Sequence, residues 1–417
     1  MSFVQELTWR GLLQQTTDPQ LDARMRDEPF TLYCGFDPTA DSLHVGSLIP
    51  ILTLMRAQRA GHRVIALVGG ATGMVGDPSG KSEERKLLDA PTLARNVEGL
   101  RAQLAGLLDF TEDRALLVNN HDWFKDFSYL SFLREVGKHF SVNGMLGKES
   151  VRARLEERDQ GISYTEFSYM LIQAYDFLWL SDHHGCRLQV GGSDQWGNIT
   201  AGIELVRRMR QKQTYGITTP LITTSSGQKF GKTEKGAVWL DAGRTSPYDF
   251  HQFFLRTEDA DASRFLRFYT MLDEGMILDL EAQLRAAPEK REAQRVLARE
   301  VTTLVHGKAE ADKAEELAAA LFSGRAEGGV FVVPPGAPTS EVPRGDLEGL
   351  PVVELLVVTK LCASKGAARR DIEGGGIYLN DERVENVVRV LTQSDLREGN
   401  QLLLRKGKKS YHAVRFT

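Results

Sequence analysis

Along the first half of the chain, short apolar runs alternate with glycine-bearing turns and longer stretches whose apolar positions recur every three to four residues. Short apolar runs bounded by turns read as strands, and the 3.6-residue period reads as helix. The pattern predicts a helix over residues 4–14, a strand start at Leu32 and Tyr33, a turn over 35–40 and a helix opening near Asp41. A helix over 48–60 stops at Gly61, where a left-handed cap fits. "RVIALVGGATG" (63–73) then supplies a buried strand running into a glycine-rich loop. Strand, helix, strand in this order pairs in parallel through a right-handed crossover. Charged helical stretches around 87–108, a strand over 115–120 and a helix near 129–136 follow. A helix over 166–180, a strand over 186–190, a helix over 198–210 and a strand at "PLITT" (220–224) complete the alternation. The fold class is therefore α/β, with a Rossmann-like, doubly wound parallel sheet over residues 1–225.

The texture then changes. Residues 226–245 form a lysine-bearing loop and connector. Ser246 and Pro247 suit an N-cap and the first helical position, and three amphipathic segments make 246–322 an all-helical domain. The clearest, 288–306, places Val296, Leu297, Val301, Leu304 and Val305 on one side. Residues 323–350 are rich in Gly and Pro and lack periodicity, which reads as a linker. Residues 351–417 form a small α+β module, with helices over 352–361 and 365–373, a turn at 374–376 and short strands.

Composition changes this picture in one place. The 417 residues, 41% hydrophobic and 26% charged, fit two or three ordinary globular domains, and the net charge of −4 argues against wholesale coating by nucleic acid. From 351 to 417, however, there are 12 Lys and Arg against 8 Asp and Glu. A basic tail on an acidic body suits a polyanionic partner, and a solvated basic surface has the same composition. Cys34, Cys186 and Cys362 are odd in number and far apart, so they form neither a disulfide framework nor a C-x-x-C metal site. A reducing, cytoplasmic setting is expected. "MSFVQELTWRGLL" lacks the apolar core of a signal peptide, and no apolar run approaches the roughly 20 residues of a membrane span.

Several stretches carry groups suited to chemistry. In "LYCGFDPTADSLHVGSLIPIL" (32–52), Asp37, Thr39, His44 and Ser47 sit where strand gives way to helix, the position at which open α/β sheets hold anions and nucleotides. A helix start capped by Asp41 or Ser42 explains the same letters. "VGGATGMVGDPSGKS" (68–82) imitates a P-loop, but it has one residue too few between its glycines. Asp77-Pro78 would also put a carboxylate and a missing N–H into the anion nest. The loop keeps Lys81 and Arg85 as exposed cations. Tyr169, Gln173 and Asp176 share one face of a helix that is apolar nearly all round, so they either bond within the core or line a polar pocket. "GGSDQWGN" (191–198) lets a ligand approach the backbone at Gly191 and Gly192 and offers Asp194 and Gln195 to hydroxyl or carboxyl groups. "SSGQKFGKTEKG" (225–236) presents Lys229, Lys232, Thr233 and Lys235, which suit a polyphosphate and equally an ordinary surface loop.

Taken in order, these blocks resemble the class I aminoacyl-tRNA synthetases, and within them the bacterial tyrosyl-tRNA synthetases, over essentially the whole chain. "LYCGFDPTADSLHVGS" is similar to the first class I signature and "KFGKT" (229–233) to the lysine-rich second one. "GDPSGK", "TEFSYMLIQAYDF" and "GGSDQWGN" are similar to tyrosyl-specific blocks, and "ASKGAARRDIEGGGIYLNDERV" (363–384) to an S4-like RNA-binding domain.

The resemblance implies activation of L-tyrosine by ATP and transfer to tRNA(Tyr) by a homodimer. ATP would be a substrate accompanied by Mg²⁺, with no protein-bound metal or organic cofactor. Tyr33 and Asp176 would bond the substrate phenol, and Asp77, Tyr169 and Gln173 its ammonium group. Cys34, Asp37, Ser47, Gly192, Asp194 and Gln195 would contact the adenylate or the carboxyl region. Thr39 and His44, with Lys81, Arg85, Lys229, Lys232 and Thr233, would stabilise the polyphosphate. Ser47 departs from the commoner second histidine of the first signature.

Overall fold

The computed structural model describes residues 1–79, 87–148, 151–152, 155, 161–227, 230–233, 236–323, 339–380, 382–397, 400–407 and 410–417; of residues 232, 233, 319–323 and 410 it describes the backbone alone. The described residues fall into two compact units. One comprises Met1–Thr245 with Phe254–Val301, the other Ser246–Phe253 with Thr302–Thr417.

The first unit is built on a six-stranded sheet in the order Gln15–Thr16, Tyr215–Thr219, Cys186–Gly192, Thr31–Phe36, Arg63–Val68, Ala115–Asn119. Its pairings are parallel except at the short edge strand Gln15–Thr16. The inner strands are apolar because both faces are covered, as parallel sheets require. From Thr31–Phe36 the chain winds through Arg63–Val68 and Ala115–Asn119 on one side, then returns through Cys186–Gly192 on the other. Neighbouring strands that lead off in opposite directions leave a crevice at their C-terminal ends. The mainly parallel sheet bears out the α/β, Rossmann-like expectation.

Several elements differ from the sequence reading. The first helix is Phe3–Arg10, stopped by Gly11 in the left-handed region, so residues 15–16 are free to pair with the sheet. The last parallel strand is Tyr215–Thr219 and not 220–224: Pro220 has no N–H to give a ladder, whereas Tyr215 and Ile217 are buried. No helix opens at Asp41. His44 instead begins a single tight turn, Val45–Ser47, and the helix is Leu48–Arg59. The stretch 288–306 breaks at Arg291, whose backbone is left-handed, into a short turn and the helix Glu292–His306.

The helical stretch 246–322, read as one domain, is divided between the two units. Its portion from 254 to 301 joins the sheet-bearing unit because arginines hold it there, Arg10 and Arg56 buried and Arg59 exposed. Arg10 donates to the carbonyls of Arg267 (2.9 Å) and Leu272 (2.6 Å), Arg56 to Phe268 and Thr270 (both 2.9 Å), and Arg59 to Met271 (2.9 Å). These carbonyls lie in the last turn of the helix Asp259–Tyr269 and in the three residues after it, the end at which the dipole favours cations. Glu6 completes the cluster, bonding Arg10 at 2.9 Å and Arg59 at 2.7 Å. Burial and the neighbouring arginine lower Arg56 to about 9, and the carboxylate partly offsets this.

In the second unit, five strands run in the order Glu382–Arg383, Ile377–Leu379, Gln401–Lys406, Ser410–Phe416, Thr339–Val342. The last lies in the stretch read as linker. It pairs in parallel with Ser410–Phe416 and buries Val342 in the same core as Val352, Leu356 and Leu404, so the α+β module begins before residue 351. Among the described residues, no helix is long and apolar enough to cross a membrane.

Candidate active site

The crevice at the sheet's C-terminal edge is a cavity of about 480 Å³. Its lining includes Tyr33, Cys34, Asp37, Thr39, His44, Ser47, Asp77, Tyr169, Gln173, Asp176, Gly192, Asp194 and Gln195, so the candidates from four separate stretches meet in one place. Lys81, Arg85 and Lys229 lie outside the described residues. Lys232 and Thr233 form a short strand paired with Gly236–Ala237.

At the deep end, the helix Tyr164–His184 brings Asp176 against the sheet with 2% exposure. Its carboxyl oxygens accept from Asn120 Nδ2 at 3.1 Å and Trp123 Nε1 at 3.0 Å. Burial pushes the Asp176 carboxyl well above the usual range, the two donors pull it down, and Asp37 adds repulsion. Tyr33, 1% exposed, packs its ring 5.3 Å from Phe177, and its hydroxyl has no protein partner. Burial raises its pKa far above normal, and the charge of Asp176 adds to the effect. A buried hydroxyl beside a buried carboxyl, both facing a cavity, leaves hydrogen-bonding capacity that a ligand group must meet.

A chain of bonds leads from here toward the mouth. Asn120 Nδ2 also donates to Thr72 Oγ1 (3.2 Å), Thr72 donates to Asp37 Oδ1 (2.7 Å), and the Tyr169 hydroxyl donates to Asp37 Oδ2 (2.8 Å). Burial raises the Tyr169 pKa well above normal, with Asp37 and Asp77 acting in the same direction. Gly69 is required at this point: a Cβ there would lie 2.2 Å from both Asp37 Oδ1 and Thr72 Oγ1. On the opposite wall Asp77 accepts from Ser79 N (2.9 Å) and Gln195 Nε2 (2.6 Å), and Gln195 accepts from Asn198 (3.1 Å). The amide of Ser79, which a P-loop would turn toward phosphate, is thus taken by a carboxylate. Residues 80–82 of the P-loop-like stretch lie outside the described residues.

The mouth is built differently. His44 is exposed and Ser47 half-buried; His44 Nδ1 accepts from Gly46 N at 3.0 Å, and Ser47 Oγ accepts from His44 N at 3.5 Å. The serine therefore closes the signature turn on itself. Cys34 lines the wall as a neutral thiol, since burial pushes it up to about 12. Gly231 and Val238, from either side of the lysine-bearing stretch's short hairpin, lie against this turn. Val238 N donates to Gly231 O (3.0 Å), Val45 N donates to Val238 O (2.9 Å), and a Cβ placed on Gly231 would be 3.6 Å from Gly46 N.

Sequence reasoning missed Thr72, Asn120, Trp123, Ser79, Asn198 and Gln189, whose buried Oε1 has no protein partner and whose side chain lines the cavity. One signal was available: Thr72, Asn120 and Trp123 lie just past the C-terminal ends of parallel strands, where ligands bind.

The sequence matches the family described as "tRNA synthetases class I (W and Y)" over residues 25–323 and the "Tyrosine--tRNA ligase SYY-like C-terminal domain" over residues 336–414. It is 53% identical over 418 residues to the tyrosine–tRNA ligase of Rhodopirellula baltica, covering 98% of this chain and 95% of the relative. To that of Geobacillus stearothermophilus it is 51% identical over 423 residues, covering 100% of each. The solved C-terminally truncated mitochondrial tyrosyl-tRNA synthetase of Aspergillus nidulans is similar with a TM-score of 0.70 at 33% identity, over 77% of this chain and 94% of that one.

Proposed function

The chain belongs to the class I tRNA synthetases of the tryptophan and tyrosine group, and we propose that its cavity joins L-tyrosine to ATP and then to the terminal ribose of tRNA(Tyr). Tyrosine–tRNA ligase activity is what its full-length relatives carry in name. The observation that carries the choice of amino acid is the partnerless Tyr33 hydroxyl beside Asp176 at the closed end of the cavity.

A substrate phenol fits there as donor to Asp176 and acceptor from Tyr33. Phenylalanine would leave the Tyr33 hydroxyl without a partner and Asp176 with Asn120 and Trp123 alone, at about 1–3 kcal/mol for each lost bond, which is roughly 30-fold to 10⁴-fold in discrimination. Asp77, Tyr169 and Gln173 hold the ammonium group, and Gln195 lies near the carboxylate. Asp37 bonds Tyr169 directly, so it couples the amino-acid side to the adenylate side, where Cys34, Gly192 and Asp194 face the ribose.

The carboxylate is already nucleophilic. Its oxygen forms a bond to the α-phosphorus, the bond to the β-phosphate oxygen breaks, and pyrophosphate leaves carrying the charge. Thr39, His44 and the cations Lys81, Arg85, Lys229 and Lys232, with Thr233, stabilise that charge. Mg²⁺ would come with ATP as part of the substrate and would help to neutralise the phosphate charge. A ribose hydroxyl of the tRNA then attacks the acyl carbon, and AMP leaves.

Exposed Lys365, Arg369 and Arg370 on the helix Lys365–Glu373 make this part of the second unit an RNA-facing surface. The chain acts as a homodimer, a reading supported by the exposed apolar side chains Tyr129, Leu130, Leu133, Val142 and Leu146, which a second copy would cover. The reaction runs in the cytoplasm, in keeping with three buried free thiols among the described residues. Tyrosine-dependent ATP–pyrophosphate exchange, compared across all standard amino acids, tests the reading. Better exchange with phenylalanine or tryptophan would overturn it.

A further inference from the structure

The first unit holds a second set of contacts that no substrate group needs. The helix Asp259–Tyr269 grips the lysine-bearing loop at two points. Near its start, buried Asp261 accepts from both the amide (2.9 Å) and the hydroxyl (3.2 Å) of Ser225, while Arg264 binds the carbonyl of Thr223 and Asp261 itself. Farther along, the ring of Phe230, which lies beside Lys229 in the sequence, sits 4.2 Å from Phe265, 5.4 Å from Tyr269 and 6.0 Å from Phe254. All three surrounding rings are fully buried. Phe230 N also donates to Ile222 O at 3.0 Å, which closes the base of the loop.

The far end of the same helix is held by Arg56 and Arg59, and these belong to the helix Leu48–Arg59 that follows the His44 turn. Two phosphate-facing segments, distant in sequence, are thus fixed to one helix, the loop along its length from Asp261 to Tyr269 and the helix that follows the His44 turn at its C-terminal end. An α-helix is stiff along its axis, and packed interiors transmit displacement instead of absorbing it.

We propose that the helix Asp259–Tyr269 is a bracket that sets the spacing between the His44 turn and the lysine-bearing loop, with Asp261, Phe265 and Phe230 as positioning residues for the activation step. The proposal rests on the tyrosine-activating reading of the cavity. Phe230 lines the cavity, but Asp176 bonds Asn120 and Trp123 and Tyr33 packs on Phe177, so the deep end is built without these three and tyrosine binding is spared when they change. What shifts is the placement of charge-stabilising groups at the α-phosphate, where misplacement by about 1 Å costs on the order of 10²-fold in rate.

The test uses full-length enzyme carrying Phe230→Ala, Phe230→Leu or Asp261→Asn. Pyrophosphate exchange gives kcat and the KM for ATP, equilibrium dialysis gives the tyrosine Kd, and amide hydrogen exchange is followed at Ser225 and Phe230. Phe230→Ala should lower kcat roughly 10- to 100-fold with tyrosine Kd unchanged. Phe230→Leu, which refills the box, should recover most of that loss, and Asp261→Asn should show a smaller loss. In Phe230→Ala and Asp261→Asn the two amides should exchange faster. An unchanged kcat in Phe230→Ala, or a fall in step with tyrosine affinity, overturns the bracket. If the unaltered enzyme exchanges pyrophosphate with no amino acid, the activity reading fails. Amide exchange then judges the bracket alone, and unaltered protection in both variants overturns it.

Discussion

The two ends of the cavity are made by different means. At the deep end, Asp176, Asn120, Thr72, Asp37 and Tyr169 form a continuous chain of hydrogen bonds among buried or half-buried side chains. At the mouth, His44 and Thr39 are exposed: His44 Nδ1 accepts from Gly46 N, its ring meets Trp239 edge-on, and Thr39 N donates to Asp37 O. Choosing an amino acid requires polar groups whose cost, if left unpaired, is high, and burial raises that cost. Stabilising a charge that appears only during reaction requires donors that reach phosphate from solvent, and burial would hinder them. Selectivity and rate are therefore expected to separate along the length of one cavity.

The largest expected effect is at the mouth. His44→Ala should lower kcat for pyrophosphate exchange roughly 10²- to 10³-fold, as removal of a transition-state donor does elsewhere. Tyrosine Kd and thermal midpoint should stay put, and a matching loss of tyrosine affinity would erase the contrast between the ends. Next is Asp176→Ala, expected to cut kcat/KM for tyrosine on the order of 10²-fold, with KM for ATP little changed. The reverse pattern would move Asp176 out of the amino-acid end.

The same carboxyl makes stability depend on pH. Its folded-state pKa is raised, so its contribution is fully present below the unfolded carboxylate value and is lost as pH rises through the raised one. Urea titrations should show the stability of the unliganded enzyme, relative to Asp176→Ala, falling by up to about 1.4 kcal/mol per pH unit over that window. A flat difference would mean that Asn120 and Trp123 hold the carboxyl ionised. The smallest effect is Tyr33→Phe, which should narrow the preference for tyrosine over phenylalanine by roughly 3- to 10-fold.

Much of this site was legible in the sequence. Tyr169, Gln173 and Asp176 are spaced to share a helix face, and in the structure they line the same cavity. Strand ends and glycine turns pointed to the right edge of the sheet. What stayed hidden was pairing. Nothing in "ALLVNN" says that Asn120 reaches both Asp176 and Thr72, because such bonds depend on how strands far apart in sequence stack. The helical region misled for a related reason. Amphipathic periodicity shows that a helix buries one face, but not which body receives it, and here Arg10 and Arg56 decide. The strand Thr339–Val342 escaped notice because four residues among Gly and Pro carry too short a period to register.

The indole of Trp123 has an optical consequence. It donates to Asp176 Oδ1 and stacks on Trp179 with ring centroids 4.1 Å apart and planes inclined by 14°. Two parallel indoles at that separation couple their electronic transitions, and one of them is hydrogen-bonded to the carboxyl that a substrate phenol would share. Occupancy of the deep end should therefore alter the emission spectrum and the near-ultraviolet circular dichroism of this pair. The enzyme carries an unlabelled chromophore at the end of the cavity proposed to choose the amino acid, and Trp239, which lines the cavity beside His44, would report events at the mouth.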